Sequence, residues 1–249
     1  MSVAIAPAPF LHGAPAHAGY YHTADTMQRM VVATPDQEPE LWAEYLDGAL
    51  TSYRRYGVAE ALEYDTVRDG HTTALFFAAL DDAGAVIGGV RVQGPHGIPA
   101  DSHVMVEWAG RDGEADLAKM ISDRIPFGLV EMKAAWVSPT VRDKAALALA
   151  VGRTTMHAMS LLGAQFAIAS SAEHSLAQWK AIGGSIAQAI PATPYPTDQY
   201  RTRVMFWDRR TFTAAADAAQ IPLILSELME LSGTMTGGTR RRSLRVVGA

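Results

Sequence analysis

The spacing of apolar residues changes along this chain, and its first half predicts strands around one long helix. A short apolar run over 30–33 ends in a Thr-Pro-Asp turn, which indicates a first strand. From 39 to 57, apolar residues recur at i, i+3 and i+4, so one face of a helix is apolar and packs on a sheet. The segments 72–80 and 85–92 are rich in β-forming residues and flank an Asp-Asp-Ala-Gly turn, so they predict a hairpin.

Beyond the hairpin, strands and helices alternate. We expect a strand over 103–108 and a short amphipathic helix over 114–125. The order that follows is a strand over 128–137, a helix over 142–162, a strand over 165–170, a helix over 173–182, strands over 185–190 and 201–207, and a last helix over 213–231. A strand, a helix and a second strand in succession imply a parallel pair, so the fold class is α/β, with a central mixed sheet flanked by helices.

The two ends of the chain differ in composition from the rest. Residues 1–25 are rich in Ala and Pro, and we expect them to form a mobile or wrapping arm. They lack the basic start of a signal peptide, since the first basic residue is Arg29, and we therefore expect a cytoplasmic protein. Residues 26–232 are interpreted as one domain, and residues 233–249 as a basic tail that carries Arg240, Arg241, Arg242 and Arg245.

Composition and charge remove several classes of function. The 249 residues contain no Cys, which excludes disulfides, a zinc-thiolate site and a cysteine nucleophile. A formal net charge of -5 argues against a nucleic-acid partner, and no apolar run reaches the length of a transmembrane helix. His12, His17 and His22 lie on the Pro- and Gly-rich arm at a spacing that builds no preformed site, so we expect no metal.

A strand followed at once by a helix carries the most specific motif in the chain. Residues 130–142 read Val-Glu-Met-Lys-Ala-Ala-Trp-Val-Ser-Pro-Thr-Val-Arg and resemble motif A of the GNAT superfamily of N-acetyltransferases, in which the turn has the form Val-x-Pro-x-x-Arg. Exposed N–H groups at a helix start suit the phosphate oxygens of a thioester cofactor, and extended pantetheine can pair with an open sheet edge. We therefore expect a cleft where the strand through Glu131 parts from the strand through Ile168.

The resemblance implies a set of donor-binding residues. They are Ala134, Trp136, Val137, Arg142, Lys144, Ala145 and Trp179. The family has Gly at the position of Ala145 and Gly or Ala at that of Leu147, because glycine lets a phosphate approach the backbone closely. The missing glycines favour an acyl group presented on an acyl carrier protein, or a looser diphosphate contact through Arg142 and Lys144, over tightly bound coenzyme A.

A second segment, 173–184, is similar to motif B of the same superfamily, in which a helix carries an aromatic residue shortly before a glycine. Many members have a Tyr at the position of Trp179, and that Tyr protonates the leaving thiolate. Indole carries only a permanently bonded N–H donor and cannot supply the proton. Either the leaving thiolate needs no side-chain acid, or a group other than Trp179 supplies its proton.

The helix over 114–125 and Glu131 on the central strand add a narrower resemblance, to acyl-homoserine-lactone synthases and long-chain N-acyl amino acid synthases. These relatives transfer acyl groups from acyl carrier protein to an amino acid or a derivative of one. The resemblance covers residues 27–210 in all. It implies a GNAT-like N-acyltransferase whose co-substrate is acyl-CoA or acyl-ACP phosphopantetheine and whose acceptor is a small-molecule amine.

Three side chains are candidates for catalysis. Glu131 and Lys133 alternate with apolar residues and project to one face of the sheet, where buried charges are paired or functional. As a general base, Glu131 would take a proton from the acceptor's ammonium, and burial would raise its pKa. As a structural group, it would pair with a neighbouring charge such as Arg91. Glu107 is the second candidate base, and His174 at a helix start is the third, with a phosphate contact as its alternative role.

The expected reaction is direct attack of an amine on the thioester, and the resemblance implies that a backbone N–H within 134–137 stabilises the oxyanion. The products are an amide and a thiol, and we expect acyl groups longer than acetyl to be preferred. Two other functions stay open at this point: a non-catalytic ligand-binding or regulatory module on the same fold, and N-acetyl transfer from acetyl-CoA. The acceptor's identity, and the choice between a monomer and a homodimer, also stay open.

Overall fold

The computed structural model describes the backbone of residues 15–241 and the side chains of residues 15–235, and the strands within them form one sheet. The strands are β1 (Gly19–His22), β2 (Arg29–Ala33), β3 (Leu75–Leu80), β4 (Val86–Gln93), β5 (Leu129–Val137), β6 (Phe166–Ala172), β7 (Ser185–Ile186), β8 (Thr193–Pro194) and β9 (Arg201–Asp208). The helices are α1 (Pro39–Arg55), α2 (Tyr64–Val67), α3 (His103–Glu107), α4 (Glu114–Ser122), α5 (Lys144–Leu161), α6 (Leu176–Ala181), α7 (Phe212–Ala215) and α8 (Gln220–Arg241).

The order of strands across the sheet is β1-β2-β3-β4-β5-β6-β9-β7, and β8 also pairs with β9. Neighbours are antiparallel except β5 and β6, which are parallel. A parallel pair needs a long crossover, which α5 provides. The predicted α/β class with a mixed sheet is therefore confirmed. Within residues 15–241, no helix combines the length and the apolar character needed to cross a membrane.

Helices cover both faces of the sheet. On one face, α5 and α8 pack over an apolar core that includes Val130 and Met132 of β5. On the opposite face, α1 covers one part of the sheet through Trp42 and Tyr45, and α3 and α4 cover the other part, where Leu129 is buried. The charged side chains described below lie at the boundary between these two parts.

A bulge in β5 changes which residues face which helix. The register between β4 and β5 shifts between Gly89 and Arg91, so β5 has one extra residue there. Ala134 takes up the change with a φ of 53°, and the Tyr45 hydroxyl donates a 2.8 Å hydrogen bond to its carbonyl oxygen. Before the bulge, odd-numbered residues of β5 face α3 and α4. After it, Ala134 and Trp136 lie on that same face and pack against the apolar residues beneath α1.

The predicted strand over 103–108 is wrong, because this segment forms the helix α3. Its Val, Met and Val residues favour a strand locally. However, the backbone N–H groups of His103 and Val104 donate to the Glu131 carboxylate, at 2.9 and 3.2 Å. A carboxylate on β5 thus satisfies N–H groups that open the helix, and tertiary structure supplies a cap that the neighbouring sequence lacks.

The remaining differences concern the ends of elements. The strand expected over 185–190 is only the 2-residue β7, and the helix expected over 213–231 is divided into α7 and α8. Part of the predicted mobile arm, Gly19–His22, belongs to the sheet, since it pairs with β2 as β1; residues 1–14 lie outside the described part. The predicted basic tail starts as helix, because α8 continues to Arg241, and residues 242–249 are also outside.

Candidate active site

A cleft opens where β5 and β6 part, as the sequence predicted. The two strands pair at residues 129–131 of β5 and then separate, while β6 continues to pair with β9 as far as Ala172. Beyond Glu131, no strand of the described chain pairs with this edge of β5. Residues 132–134 line one wall of the opening and residues 170–172 line the other, around a volume of about 190 Å³.

Charged side chains from β5, from α3 and from the residue before α2 form a network at this cleft. Lys133 Nζ lies 2.6 Å from His103 Nδ1 and 3.3 Å from Glu107 Oε1. His103 Nδ1 is 3.0 Å from Glu107 Oε1, and its Nε2 is 2.9 Å from Glu63 Oε2. The tautomer with its proton on Nε2 satisfies both neighbours of the His103 ring, because Nδ1 then accepts from the Lys133 ammonium and Nε2 donates to the Glu63 carboxylate. The network thus connects the buried Glu107 to the exposed Glu63.

Glu107 lines the cleft and has an unused carboxylate oxygen. Its Oε1 pairs with Lys133. Its Oε2 is buried and has no hydrogen-bond partner among the described residues. Leaving a buried acceptor without a donor is unfavourable. Oε2 is therefore suited to receive a proton or a hydrogen bond from a bound molecule.

Glu131 is used differently from the general base that we expected. Its carboxylate accepts from Ser102 Oγ at 2.8 Å and from the N–H groups that open α3, and His96 Nε2 lies 3.4 Å away. Burial raises its pKa, but the hydrogen bond from His96, the charge of Lys133 and the Ser102 hydroxyl outweigh burial, so the pKa of Glu131 lies below its ordinary value. The expected rise in pKa is wrong. Glu131 is fully buried, does not line the cleft and caps α3.

His103 and Tyr195 are site residues that the sequence reasoning missed. His103 and Glu107 are spaced i, i+4, which places them on one face of a helix, but the expected strand separated them. Tyr195 precedes β9, and its ring centroid is 6.3 Å from that of His103; no local pattern marks it. Burial raises the pKa of Tyr195, and it raises the pKa of Tyr53 to about 12, so both phenols remain protonated donors in the cleft lining.

The start of α5 is capped by a side chain of the protein itself. Asp143 Oδ1 accepts from the backbone N–H of Ala146 at 2.9 Å. Arg142, Lys144 and Ala145 are exposed beside this cap. A phosphate at the helix start would displace Asp143 or lie against its negative charge. The side chains of Arg142 and Lys144 are therefore the groups at this end that suit a phosphate.

Two of the predicted donor-binding residues on β5 point away from the cleft. Trp136 packs under α1, and Gly48 makes room for it, since a Cβ at that position would lie 2.2 Å from the indole ring. Val137 packs against the core beneath α5. Ala134 does line the cleft, so it is the member of the predicted β5 set that the structure brings to this opening.

The predicted residues after β6 lie at or beyond the rim. Trp179 packs edge-on against Trp207, with 6.1 Å between the ring centroids, and it does not line the cleft. His174 is exposed, and its ring centroid is 6.2 Å from that of Tyr200, which does line the cleft. A role for His174 or Trp179 stays a prediction.

Proteins of related sequence occur in mycobacteria. Uncharacterized proteins of Mycobacterium tuberculosis strain H37Rv, M. tuberculosis strain CDC 1551 and Mycobacterium bovis are each 45% identical to this chain over 208 residues. The matched region is 84% of this chain and 79% of each relative. No family model matches the chain.

Several solved structures share the fold at low sequence identity. FeeM, an N-acyl amino acid synthase from uncultured soil microbes, has a TM-score of 0.56 at 13% identity, over 80% of this chain and 100% of FeeM. The acyl-homoserine-lactone synthase LasI has a TM-score of 0.53 at 11% identity, over 76% and 95% of the two chains. BjaI, a CoA-dependent acyl-homoserine-lactone synthase solved with SAM and isopentyl-CoA, has a TM-score of 0.50 at 15% identity, over 82% and 88%. At these identities the likeness shows a common fold.

Proposed function

The chain belongs to the family of these mycobacterial proteins and has the GNAT-like N-acyltransferase fold, and from this premise we propose that it is an N-acyltransferase. It moves an acyl group from a pantetheine thioester to the amine of a small molecule, such as an amino acid, by direct attack. One observation carries the proposal: Glu107 lines the cleft between β5 and β6, and its buried Oε2 has no hydrogen-bond partner among the described residues.

The open edge of β5 supports a thioester donor. Beyond Glu131 this edge has no strand partner in the described chain, and the amides of extended pantetheine can pair with such an edge. Tyr45 fixes the Ala134 carbonyl and with it the peptide that follows. We assign the oxyanion donor to a backbone N–H within 134–137, on the strand that lines the cleft.

Glu107 is the general base of the proposed reaction. Its Oε2 takes one proton from the acceptor's ammonium, and the neutral nitrogen then attacks the thioester carbonyl carbon. The C–N bond forms and the C–S bond breaks. A second proton from the same nitrogen ends on the leaving sulfur. The products are therefore an amide, a thiol and one proton carried by Glu107.

The network behind Glu107 offers that proton a route to solvent. Glu107 Oε1 is 3.0 Å from His103 Nδ1, and His103 Nε2 is 2.9 Å from the exposed Glu63. Because Nδ1 already accepts from the Lys133 ammonium, the relay runs through that group: Lys133 gives a proton to Nδ1, the ring releases the one on Nε2 to Glu63, and the proton of Glu107 restores the ammonium. Glu131 acts as a positioning residue, because it caps the helix that carries both His103 and Glu107.

The start of α5 favours a donor whose diphosphate is not tightly held. Asp143 occupies the N–H group of Ala146, and glycine is absent from the turn. We therefore propose phosphopantetheine on an acyl carrier protein as the preferred donor. Acyl-CoA is the other donor that fits, with Arg142 and Lys144 in contact with its phosphates.

Thiol release tests the proposal directly, because the chain contains no Cys and a thiol reagent reports only the leaving group. The purified protein is mixed with acetyl, octanoyl and dodecanoyl thioesters of CoA and of acyl carrier protein. Each donor is tested with and without pooled amino acids. We expect release that depends on the amino acids and is faster for the acyl groups longer than acetyl.

Each other outcome identifies a different function. Release without any amine would show a thioester hydrolase and contradict the proposal. Release from acetyl-CoA alone would favour an N-acetyltransferase. Silence with every donor and acceptor would favour a non-catalytic binding module on this fold.

A further inference from the structure

Arg91 is a buried cation that lacks an ion-pair partner in the described chain. The residue is 2% exposed, and the only hydrogen bond of its side chain within residues 15–235 is a long one, 3.4 Å from Nη1 to Thr73 Oγ1. Its Nε is buried and has no hydrogen-bond partner among the described residues. Glu131 and Glu63 act on Arg91 only through space, since neither forms an ion pair with it. A buried guanidinium in this state is unfavourable unless an anion pairs with it.

The position of Arg91 directs that anion into the cleft. Arg91 lines the cleft and is the register partner of Lys133, so two cations lie side by side on adjacent strands. Lys133 pairs with the Glu107 carboxylate at 3.3 Å, whereas Arg91 has no such contact among the described residues. One positive charge in the lining is therefore available to an anionic group of a bound molecule.

We propose that Arg91 binds the carboxylate of the acceptor. This inference rests on the proposed acyl transfer. It narrows the acceptor to an amino acid with an apolar or aromatic side chain. A planar guanidinium can donate two parallel N–H bonds to a carboxylate. The carboxylate on Arg91 and the amine at Glu107 hold both ends of the amino acid in one cleft. Tyr53, Val58 and Leu62 line the same cleft and provide apolar surface for the side chain.

The phosphate of the donor is a poorer partner for Arg91. Arg91 pairs in register with Lys133, which precedes the bulge of β5. The exposed Arg142 and Lys144 lie beyond the C-terminal end of β5, at the start of α5. Pantetheine separates its phosphate from its thioester by an extended chain. With the thioester carbonyl at 134–137, the phosphate belongs at the α5 end, and the buried Arg91 is left for the acceptor.

Amino acids and their primary amides test this assignment, because each pair keeps the amine and the side chain and differs in one charge. Calorimetric titrations use L-phenylalanine, L-tyrosine and L-leucine with their amides. We expect at least one amino acid to bind wild-type protein about tenfold or more tightly than its amide, as for a charge-assisted hydrogen bond. The same ratio is expected in kcat/KM for N-acylation.

Variants locate the effect on Arg91. In Arg91→Met, the affinity for the amino acid relative to its amide should fall to about one, while the affinity for the amide is unchanged. Arg91→Lys should retain part of the preference for the amino acid. Arg201→Met is the matched control, because this arginine has a side chain that is 69% exposed and lies outside the cleft lining. Near-UV circular dichroism checks that each variant is folded, and the comparison within the wild-type protein needs no variant at all.

The outcomes separate this inference from the proposed function. Equal binding of every amino acid and its amide to wild type overturns the role of Arg91, and acylation of the amides then shows that acyl transfer stands without it. If no amine is acylated, the proposed function fails, and the binding ratio still decides the role of Arg91. Binding of inorganic phosphate, and not of carboxylates, that is lost in Arg91→Met would assign the cation to the donor and overturn the inference.

Discussion

Two buried arginines, Arg153 and Arg91, lie on opposite faces of the sheet and differ in their partners. Arg153 on α5 donates to Glu227 at 2.8 to 3.1 Å and to Asp25 at 2.7 and 3.1 Å. The side chain of Arg91 on β4 has one hydrogen bond in the described chain, at 3.4 Å to Thr73. Both residues are almost completely buried, at 0% and 2% exposure, so burial does not explain the difference.

The difference separates a part of the molecule that is complete from a part that needs a ligand. The Arg153 network joins α5 to α8 and to the segment between β1 and β2, and the protein supplies its partners. At the cleft, Arg91 and Glu107 Oε2 leave a donor and an acceptor for a bound molecule. Changes at Arg153 should therefore alter the free energy of unfolding, and changes at the cleft should alter turnover.

The largest effect is expected at Arg153. Arg153→Met leaves Glu227 buried without its cation, so the free energy of unfolding should fall by about 3–5 kcal/mol. Urea denaturation followed by circular dichroism measures this loss. Activity per folded molecule should stay near the wild-type value, because Arg153 is on the face opposite the cleft. A stable variant with lost turnover would break the comparison.

The next effect is on catalysis. Glu107→Gln removes the proposed base and should lower kcat/KM about 100-fold, or about 2.7 kcal/mol of transition-state stabilisation. The substitution also removes the anion that pairs with the partly buried Lys133, so the variant should be less stable, and kinetics are compared per folded molecule as measured by circular dichroism. Glu40→Gln, which is exposed in the first turn of α1, is the matched control and should be as active as wild type. Wild-type kinetics in Glu107→Gln would assign the base to another group.

A third effect depends on pH and belongs to the Arg153 face. Burial first, and the charge of Arg153 second, lower the pKa of His157 from 6.5 to about 3, although Glu227 Oε2 lies 3.6 Å from its Nε2. The unfolded chain therefore binds a proton below about pH 6.5 that the folded protein excludes. The contribution of His157 to the free energy of unfolding is fully present above that pH, and it falls by about 1.4 kcal/mol per pH unit as the pH drops toward 3.

Urea denaturation at about pH 7 and about pH 5 measures this effect. The variant His157→Gln should lose less stability between the two pH values than wild type does. Glu227, whose pKa is raised mainly by burial, opposes the trend, but it is present in both proteins and affects both. Equal losses in the two proteins would show that His157 is not the titrating group.

The smallest effect sharpens the comparison between the two arginines. Arg91→Met replaces an unpaired buried cation with an apolar side chain, so the free energy of unfolding without ligand should change by less than about 1 kcal/mol, or should rise. The same substitution at Arg153 is the direct control. A loss at Arg91 as large as that at Arg153 would mean that Arg91 already has its partner within the protein.

The sheet and its cleft could be predicted because their signals are local. The helix period over 39–57, the hairpin around Gly84 and the strand-helix-strand order after Pro126 each depend on residues close together in the chain. The helix α3 could not be predicted, because the carboxylate that caps it comes from Glu131 on a distant strand.

The error at α3 extended to the site. As part of a strand, Glu107 is separated from His103, and only the helix brings the two side chains to 3.0 Å. The alternation of β5 correctly placed Glu131 in the interior, but it carried no information about His96, Lys133 and Ser102, which lower its pKa. Nor does any local pattern show that Arg91 lacks an acidic partner, since that depends on every element packed around it.

The mass of the reaction product tests the central claim most directly. Wild-type protein is incubated with an octanoyl thioester on acyl carrier protein and 15N-labelled amino acids, and the products are analysed by mass spectrometry beside those of Glu107→Gln. The proposed chemistry predicts an N-octanoyl amide that carries the label, formed about 100-fold more slowly by the variant. Octanoic acid as the sole product, or labelled amide formed equally fast by Glu107→Gln, would contradict it.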